Sequence, residues 1–492
     1  MTGRQLVARS LLILLVQVFL LSSSFALTAT AAEPPEDEKR RIEITDIACG
    51  SGDLDQAIRL LEDLIRDTHG KLRADKGMLV LLYRATGNRG AALPVLEQSV
   101  KEEPTGLSQA LLGDVLLSLN RPKEAVKYMR VVLDEPALRT DLALVELGIA
   151  YQMSGDIDKA IETYKLSSEK FPTKMSTAEA RAWGNLLKHE PECAKPTDDY
   201  FLFSTAIWTV KWSPSRMPLK VYIDESAVDP STAKRYRPEL VRALDEWTSA
   251  SHGKITFTVV PAKEGADIDC KWLRPVKSSN THGHTQPIAN SKDGIVHAEM
   301  TLDTTVSGEI LPAPAFIHIL CLHEIGHALG LMHSPNSADL MCPIVLSKGM
   351  TDRDKATLLH LYRDDVPVEL HSAKCIQYED DLQHQRKLKS LRFLAAKDMP
   401  GFMKACQETI DADPTTDLAA DCWNFMGVLH MRGKNPVEAE RCFKGALAVP
   451  KQSAHHRKEC LANYAILMNL QGKLDEAVRL RTESDAIKQD AN

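Results

Sequence analysis

Along both flanks of the chain, apolar residues recur at helical spacing and are interrupted at regular places by glycine and proline. The segment "DLALVELGIAYQMSGDIDKAIETYKLSSEKFP" sets the pattern. Leu147-Gly148, Tyr151, Gly155, Ala160, Tyr164 and Pro172 mark two short helices joined by a tight turn. Small residues sit where the helices must touch, and a proline closes the unit. The same places hold Leu112-Gly113, Leu116, Ala125 and Pro136 one unit earlier, and Leu79, Tyr83, Gly87, Ala92 and Pro104 before that. Leu79, Leu112 and Leu147 stand 33 and 35 residues apart. The half unit "GDLDQAIRLLEDLI" reads as the cap of this array. The pattern returns later with Trp423, Met426-Gly427, Gly433, Ala439, Phe443 and Pro450, then with Leu461, Tyr464, Gly472 and Ala477. A weaker pair is expected over residues 377–414.

Between residues 196 and 366 the texture changes. "MPLKVYIDE" and "KITFTVVPA" alternate or run apolar with β-branched residues and predict strands. "STAKRYRPELVRALDEWTSAS" predicts a helix with Val241, Leu244 and Trp247 on one side. "DGIVHAEMTLD" predicts another strand, "APAFIHILCLHEIGHALG" a helix ended by Gly330, and "TDRDKATLLHLYR" a last helix capped by Thr351 or Asp352. This order of strands and helices describes an α+β domain.

The flanking pattern resembles the tetratricopeptide repeat. The resemblance implies that each unit exposes an apolar face only its neighbour can cover, so the units stack into arrays. Such arrays bind peptides or protein partners on their concave side, or serve as rigid spacers.

Composition narrows the classes. The 492 residues are enough for several domains, and 5% aromatics suit Ala/Leu-rich helices better than an all-β chain. The formal charge of −7, with no block of lysine or arginine, sets nucleic acid aside as a partner. Arg4 and Arg9 precede "LLILLVQVFLL", then "SSSFALTATAA" and an acidic stretch. That is the order of a secretory signal over residues 1–31, with Ala29-Thr30-Ala31 as a cleavage site. The alternative is an uncleaved anchor, the only membrane contact expected. Either way the folded part is expected to be secreted or in the cell envelope. Ten cysteines permit disulfides there, but no CxxC or tight framework appears, so few bridges are expected. Cys406, Cys422, Cys442 and Cys460 fall within helical patterns, as small buried hydrophobes do.

The chemistry concentrates in "HEIGHALGLMH". His323 and His327, four apart on a helix, project from one face a turn apart. Gly330 can take the positive φ that ends the helix and turns the chain, so that His333 reaches the same point from another side. Three neutral nitrogen ligands leave one tetrahedral position open, as in catalytic zinc sites. Glu324 is then expected to face the open position as general base for metal-assisted peptide hydrolysis.

The run H-E-x-x-H-x-x-G-x-x-H with Met341 following in "ADLMCP" resembles the metzincins, and Ser334 and Pro343 resemble their matrixin branch. "KWSPSRMPLKVYI", "ALDEWTSASHGKITF" and "MTDRDKATLLHLY" extend that resemblance over about a third of the chain. It implies a catalytic Zn2+ held by His323, His327 and His333, Glu324 as base, support from Gly330 and the Met341 turn, and a protein or peptide substrate. Cys342 stands where matrixins usually carry tyrosine. "PECAKP" resembles the matrixin latency switch through Cys193, although Glu192 and Ala194 replace the family's arginine and glycine; a Pro-bounded linker is the alternative. His284 and His297 lie where matrixins place ligands of a second zinc, but the upstream His-x-Asp pair is missing. No carboxylate cluster suggests Ca2+, and His318 reads as structural.

The expected architecture is an α+β metzincin-like catalytic domain inserted between two all-α tetratricopeptide arrays: 1–31 leader, 32–190 first array, 196–366 peptidase domain, 375–492 second array. Substrate is expected along a sheet edge formed by "DGIVHAEMTLD". The rival expectations are an envelope adaptor whose metal domain has lapsed, and a metal hydrolase acting on something other than protein.

Overall fold

A capping side chain opens the helix pair and glycine closes its first member. In the best-formed repeat the Thr140 hydroxyl accepts from the Ala143 amide, and Gly155 ends the helix in the left-handed region at φ 90°. The helices meet where a side chain is missing: a Cβ on Gly148 would stand 2.3 Å from the Tyr164 ring. The computed structural model describes residues 35–487, apart from 71–72, 172–173, 196, 275–281, 291–292, 307–309, 344–348, 372–385, 387–397 and 451. The expected leader, and the weak repeat before Asp398 except Arg386, lie outside these described residues. The chain divides into two compact units, Met1–Ser372 and Ala373–Asn492.

The first unit opens with helices α1 (Glu36–Asp46), α2 (Leu54–Asp67), α3 (Arg73–Ala85), α4 (Leu93–Glu102), α5 (Gly106–Ser118), α6 (Pro122–Met129), α7 (Asp141–Ser154), α8 (Ile157–Lys170) and α9 (Met175–His189). The cap is larger than the half unit read from sequence, because α1 precedes it and packs on α2. Acidic residues in the first turn, Glu36, Asp37 and Glu38, suit that helix start.

The rest of this unit is a mixed sheet with helices. Strand β1 (Trp208–Val210) pairs with β7 (Glu369–His371), so the two ends of the domain are tied together. The main strands are β2 (Leu219–Asp224), β3 (Phe257–Val260), β4 (Ile268–Leu273), β5 (Gly283–Asn290) and β6 (Gly294–Asp303), in the order β3-β2-β4-β6-β5. All neighbours are parallel except β5, which runs antiparallel to β6. Helix α10 (Pro230–Ala250) packs on α11 (Pro314–Ala328), and α11 lies along β5 and β6. Helix α12 (Asp352–Leu361) closes the domain.

Two expectations change here. Among the described residues the edge strands of the sheet are β3 and β5, not the "DGIVHAEMTLD" strand, because β6 is paired on both sides. Its buried, alternating positions favour the interior, whereas Pro287 lacks an N–H and belongs at an edge. On α10 the buried face centres on Tyr236, Leu240, Ala243, Leu244 and Trp247, leaving Val241 half-buried at its margin.

The repeat helices lean on the sheet domain through backbone and side-chain bonds. Arg235 donates to the Ser51 and Gly52 carbonyls, both at 2.9 Å. The Leu311 and Ala313 amides donate to the Ala48 and Ala85 carbonyls, and the Ser337 hydroxyl to the Leu117 carbonyl.

The second unit, taken by itself, contains α13 (Met399–Ala412), α14 (Asp417–Arg432), α15 (Pro436–Leu447), α16 (Ala454–Leu470) and α17 (Leu474–Ala486). The same device recurs: a Cβ on Gly427 would stand 2.6 Å from the Phe443 ring. Phe443, Cys460, Tyr464 and Met468 form one core, and Phe402, Cys406, Cys422 and Cys442 another. The nine described cysteines are all unbridged.

Candidate metal centre

Helix α11 is buried almost all round, so its histidines are aimed by packing rather than by water. Gly330 ends it at φ 95°, and a Cβ there would fall 1.7 Å from the Val210 carbonyl oxygen. That reversal brings the Leu331 carbonyl back to His327, whose Nδ1 donates to it at 2.7 Å. His323 is fixed in the same manner by the Leu340 carbonyl, 2.8 Å from its Nδ1. His333, beyond the turn, places Nδ1 2.6 Å from Glu179 Oε2, on helix α9.

With each Nδ1 engaged outward, the Nε2 atoms are left for a common target. Those of His323 and His327 lie 3.1 Å apart, and one ligand atom from each of the three residues lies within 4.8 Å of the others. Nitrogens bound tetrahedrally to zinc at about 2.0–2.1 Å stand about 3.3 Å from one another. The donor set therefore fits a zinc ion. Burial helps keep the first two imidazoles neutral, holding His323 at about 3 and His327 well below the ordinary histidine range. For His333, burial acts downward but the Glu179 carboxylate outweighs it, and the net shift is upward.

Glu324 is 4% exposed, and burial pushes its carboxyl up to about 7 against the opposing hydrogen bond from Thr285. The Thr285 hydroxyl lies 2.6 Å from Glu324 Oε2. Strand β5 can pass this close because Gly283 has no side chain; a Cβ there would stand 2.4 Å from Glu324 Oε1. Met341 is fully buried, and its Sδ would stand 2.5 Å from a Cβ on Gly326, the residue before His327. Its turn is held by Asp354, which accepts from the Leu340 and Met341 amides, the Thr351 hydroxyl and the Tyr200 hydroxyl. Ser334 closes the same turn, its amide donating to the Met341 carbonyl and its hydroxyl to Asp339.

Other residues singled out in the sequence stand apart. Cys193 lies half-buried in the Pro191–Ala194 turn, outside the convergent imidazole set; burial, with Glu190, pushes its thiol up to about 11. His284 is opposite Thr301 and His297 opposite Ile288, so the two are separated along the ladder and share no site. His297 instead lies 3.5 Å from Asp269, and His318 is bonded to Glu246 and the Glu239 carbonyl. Glu179, Thr285 and Asp354 join the site without a local sequence motif for that role. Only Thr351-x-x-Asp354, a capping box, marked one of them in advance, and it marked a helix start.

Fold and site together define three convergent histidines that could hold a metal ion, set on a mixed sheet joined to helical repeats. Residues 211–366 match the matrixin family profile, and residues 78–139 and 142–173 match tetratricopeptide profiles. The chain thus carries a matrixin domain preceded by tetratricopeptide repeats. It is similar to stromelysin-2 of Rattus norvegicus, 24% identical over 172 residues, covering 32% of each chain. The chain thus spans about a third of that relative's length. Among solved structures, MamA (AMB-1) is 23% identical over 32% of this chain and 86% of its own, with a TM-score of 0.28. The Cut9–Hcn1 hetero-tetramer of APC/C is 12% identical over 99% and 84%, with a TM-score of 0.27.

Proposed function

We propose that this chain is an exported zinc endopeptidase of matrixin type, with tetratricopeptide arrays on both sides of its catalytic domain. The reading is carried by one observation: three imidazoles, each anchored at Nδ1, converge beside a buried glutamate. His323, His327 and His333 would hold the ion. Zinc, when bound, supplies Lewis acidity and makes water nucleophilic near neutral pH.

The protein's own groups do the rest. Glu324 takes a proton from the attacking water and delivers it to the leaving amine. Thr285 holds the carboxylate in place. The outer side of β5, which has no strand partner among the described residues, offers backbone groups to an extended peptide, which would lie as one more strand. The arrays would present protein substrates or partners. Support for the second array comes from the helix pairs of residues 399–486 and the Gly427–Phe443 contact; support for export comes from the charged, apolar and small-residue order of residues 1–31.

Glu324→Ala is expected to lower cleavage of casein by on the order of 10²-fold or more while zinc content stays the same. Residual activity within about tenfold of the parent would reject Glu324 as base. A wild-type protein that binds zinc but cleaves no member of a peptide library would favour the adaptor reading.

A further inference from the structure

Two of the three imidazoles are oriented from inside the sheet domain, by the Leu340 and Leu331 carbonyls. The third is oriented from outside it. Glu179 belongs to α9, a helix of the repeat region, 154 residues before His333 in the chain. Its carboxylate is 3% exposed and approaches His333 at two atoms, Oε2 to Nδ1 at 2.6 Å and Oε1 to the backbone amide at 3.4 Å. A buried carboxylate is costly unless partnered, so this pairing is part of how α9 is seated. The helix is set by its own neighbours: the Trp183 indole donates to the Phe203 carbonyl, and its ring meets Tyr164 edge-on at 5.8 Å.

A carboxylate differs from a carbonyl in what it does to an imidazole. Both accept the Nδ1 proton and turn Nε2 inward, but the carboxylate also adds negative charge and raises ligand basicity. We propose that Glu179 is a positioning residue for the third metal ligand, so that helix α9 is a working part of the metal centre. The inference rests on the zinc-peptidase reading above and adds a prediction of its own. Zinc affinity is set jointly by the sheet domain and the repeat helices, and displacement of α9 weakens the grip of His333.

The test compares full-length wild type, Glu179→Gln, Glu179→Ala and Arg235→Ala by zinc competition against a chromophoric chelator. The visible spectrum of the cobalt-substituted proteins reports ligand geometry. Loss of such an outer partner typically weakens metal binding by about 10–100-fold. Glu179→Ala is expected to fall in that range with an altered cobalt spectrum. Glu179→Gln, whose amide oxygen still accepts, should lie between it and wild type. Arg235→Ala, which breaks a different contact between the repeat helices and the sheet domain, should stay within about twofold, inside measurement scatter on this scale. Should Glu179→Ala fail to fold, the isosteric Glu179→Gln decides, since wild-type affinity and spectrum in that variant with its charge gone would overturn the inference. It is equally overturned if Glu179→Ala binds zinc like wild type, or if Arg235→Ala weakens binding as much as Glu179→Ala. Wild-type protein that takes up no zinc overturns the peptidase reading itself, and this inference with it.

Discussion

Single residues in the site are chosen as much for what they lack as for what they carry. Gly330 combines a positive φ with a backbone oxygen in the space of its missing Cβ. Gly330→Ala therefore meets both backbone strain and a clash that no side-chain rotation relieves. It is expected to destabilise by about 3 kcal/mol or more, with the loss read from a denaturant midpoint and accompanied by falling zinc content. That residue's job was legible in the sequence, since a glycine closing a helix three places before a histidine suggests a turn. Gly326 and Gly283 were not legible, because each gives way to a partner distant in the chain: Met341 and Glu324 respectively. Glu179 was hidden for the same reason. It sits in a stretch that reads as plain repeat helix, and nothing local distinguishes a carboxylate facing a ligand from one facing water.

At the scale of elements, the repeat helices are legible in the sequence, because each pair is specified by nearby caps, glycines and spacing. The sheet is less legible, because pairing order depends on residues far apart; Pro287 is a local mark of the β5 edge. Between helices of the second unit, His456 of α16 lies 2.9 Å from Asp417 and 3.7 Å from Asp421 of α14. Burial acts to lower the His456 pKa, but Asp417 and the neighbouring Asp421 and Glu459 outweigh it and the net shift is upward. Burial acts to raise Asp417, but His456 and the Ser453 amide bring it below its ordinary value. The histidine's contribution is full below its unfolded pKa of about 6.5 and is lost as pH rises through the folded value. The aspartate's is present above about 3.9 and is lost as pH falls through its depressed value. This helix contact should thus be strongest between about pH 4 and 6.5. With Asp417 40% exposed, its worth is below about 1 kcal/mol. Amide exchange across residues 399–486 should quicken above that window in wild type, and His456→Gln should flatten the change.

At the scale of the whole molecule, the repeat region before the sheet domain is bound to it rather than only tethered. Contacts run from Ala48, Ser51 and Gly52 through Ala85 and Leu117 to Glu179. Removing one end of that seam by Arg235→Ala is expected to cost about 1–3 kcal/mol, from two hydrogen bonds of a charged donor. A lower urea midpoint at unchanged slope would record it. The concave-side partner expected for a free array must therefore be sought on whatever face these contacts leave open.

Asp354 also fixes an order of events. The bend that presents the Leu340 carbonyl to His323 hangs on a carboxylate fourteen residues further along, at the start of the closing helix. A chain cut off between His333 and that aspartate lacks the fastening even though His323, His327 and His333 are already present. The three imidazoles are thus made before the residue that fastens their surroundings, and a shortened chain holds His323 less firmly.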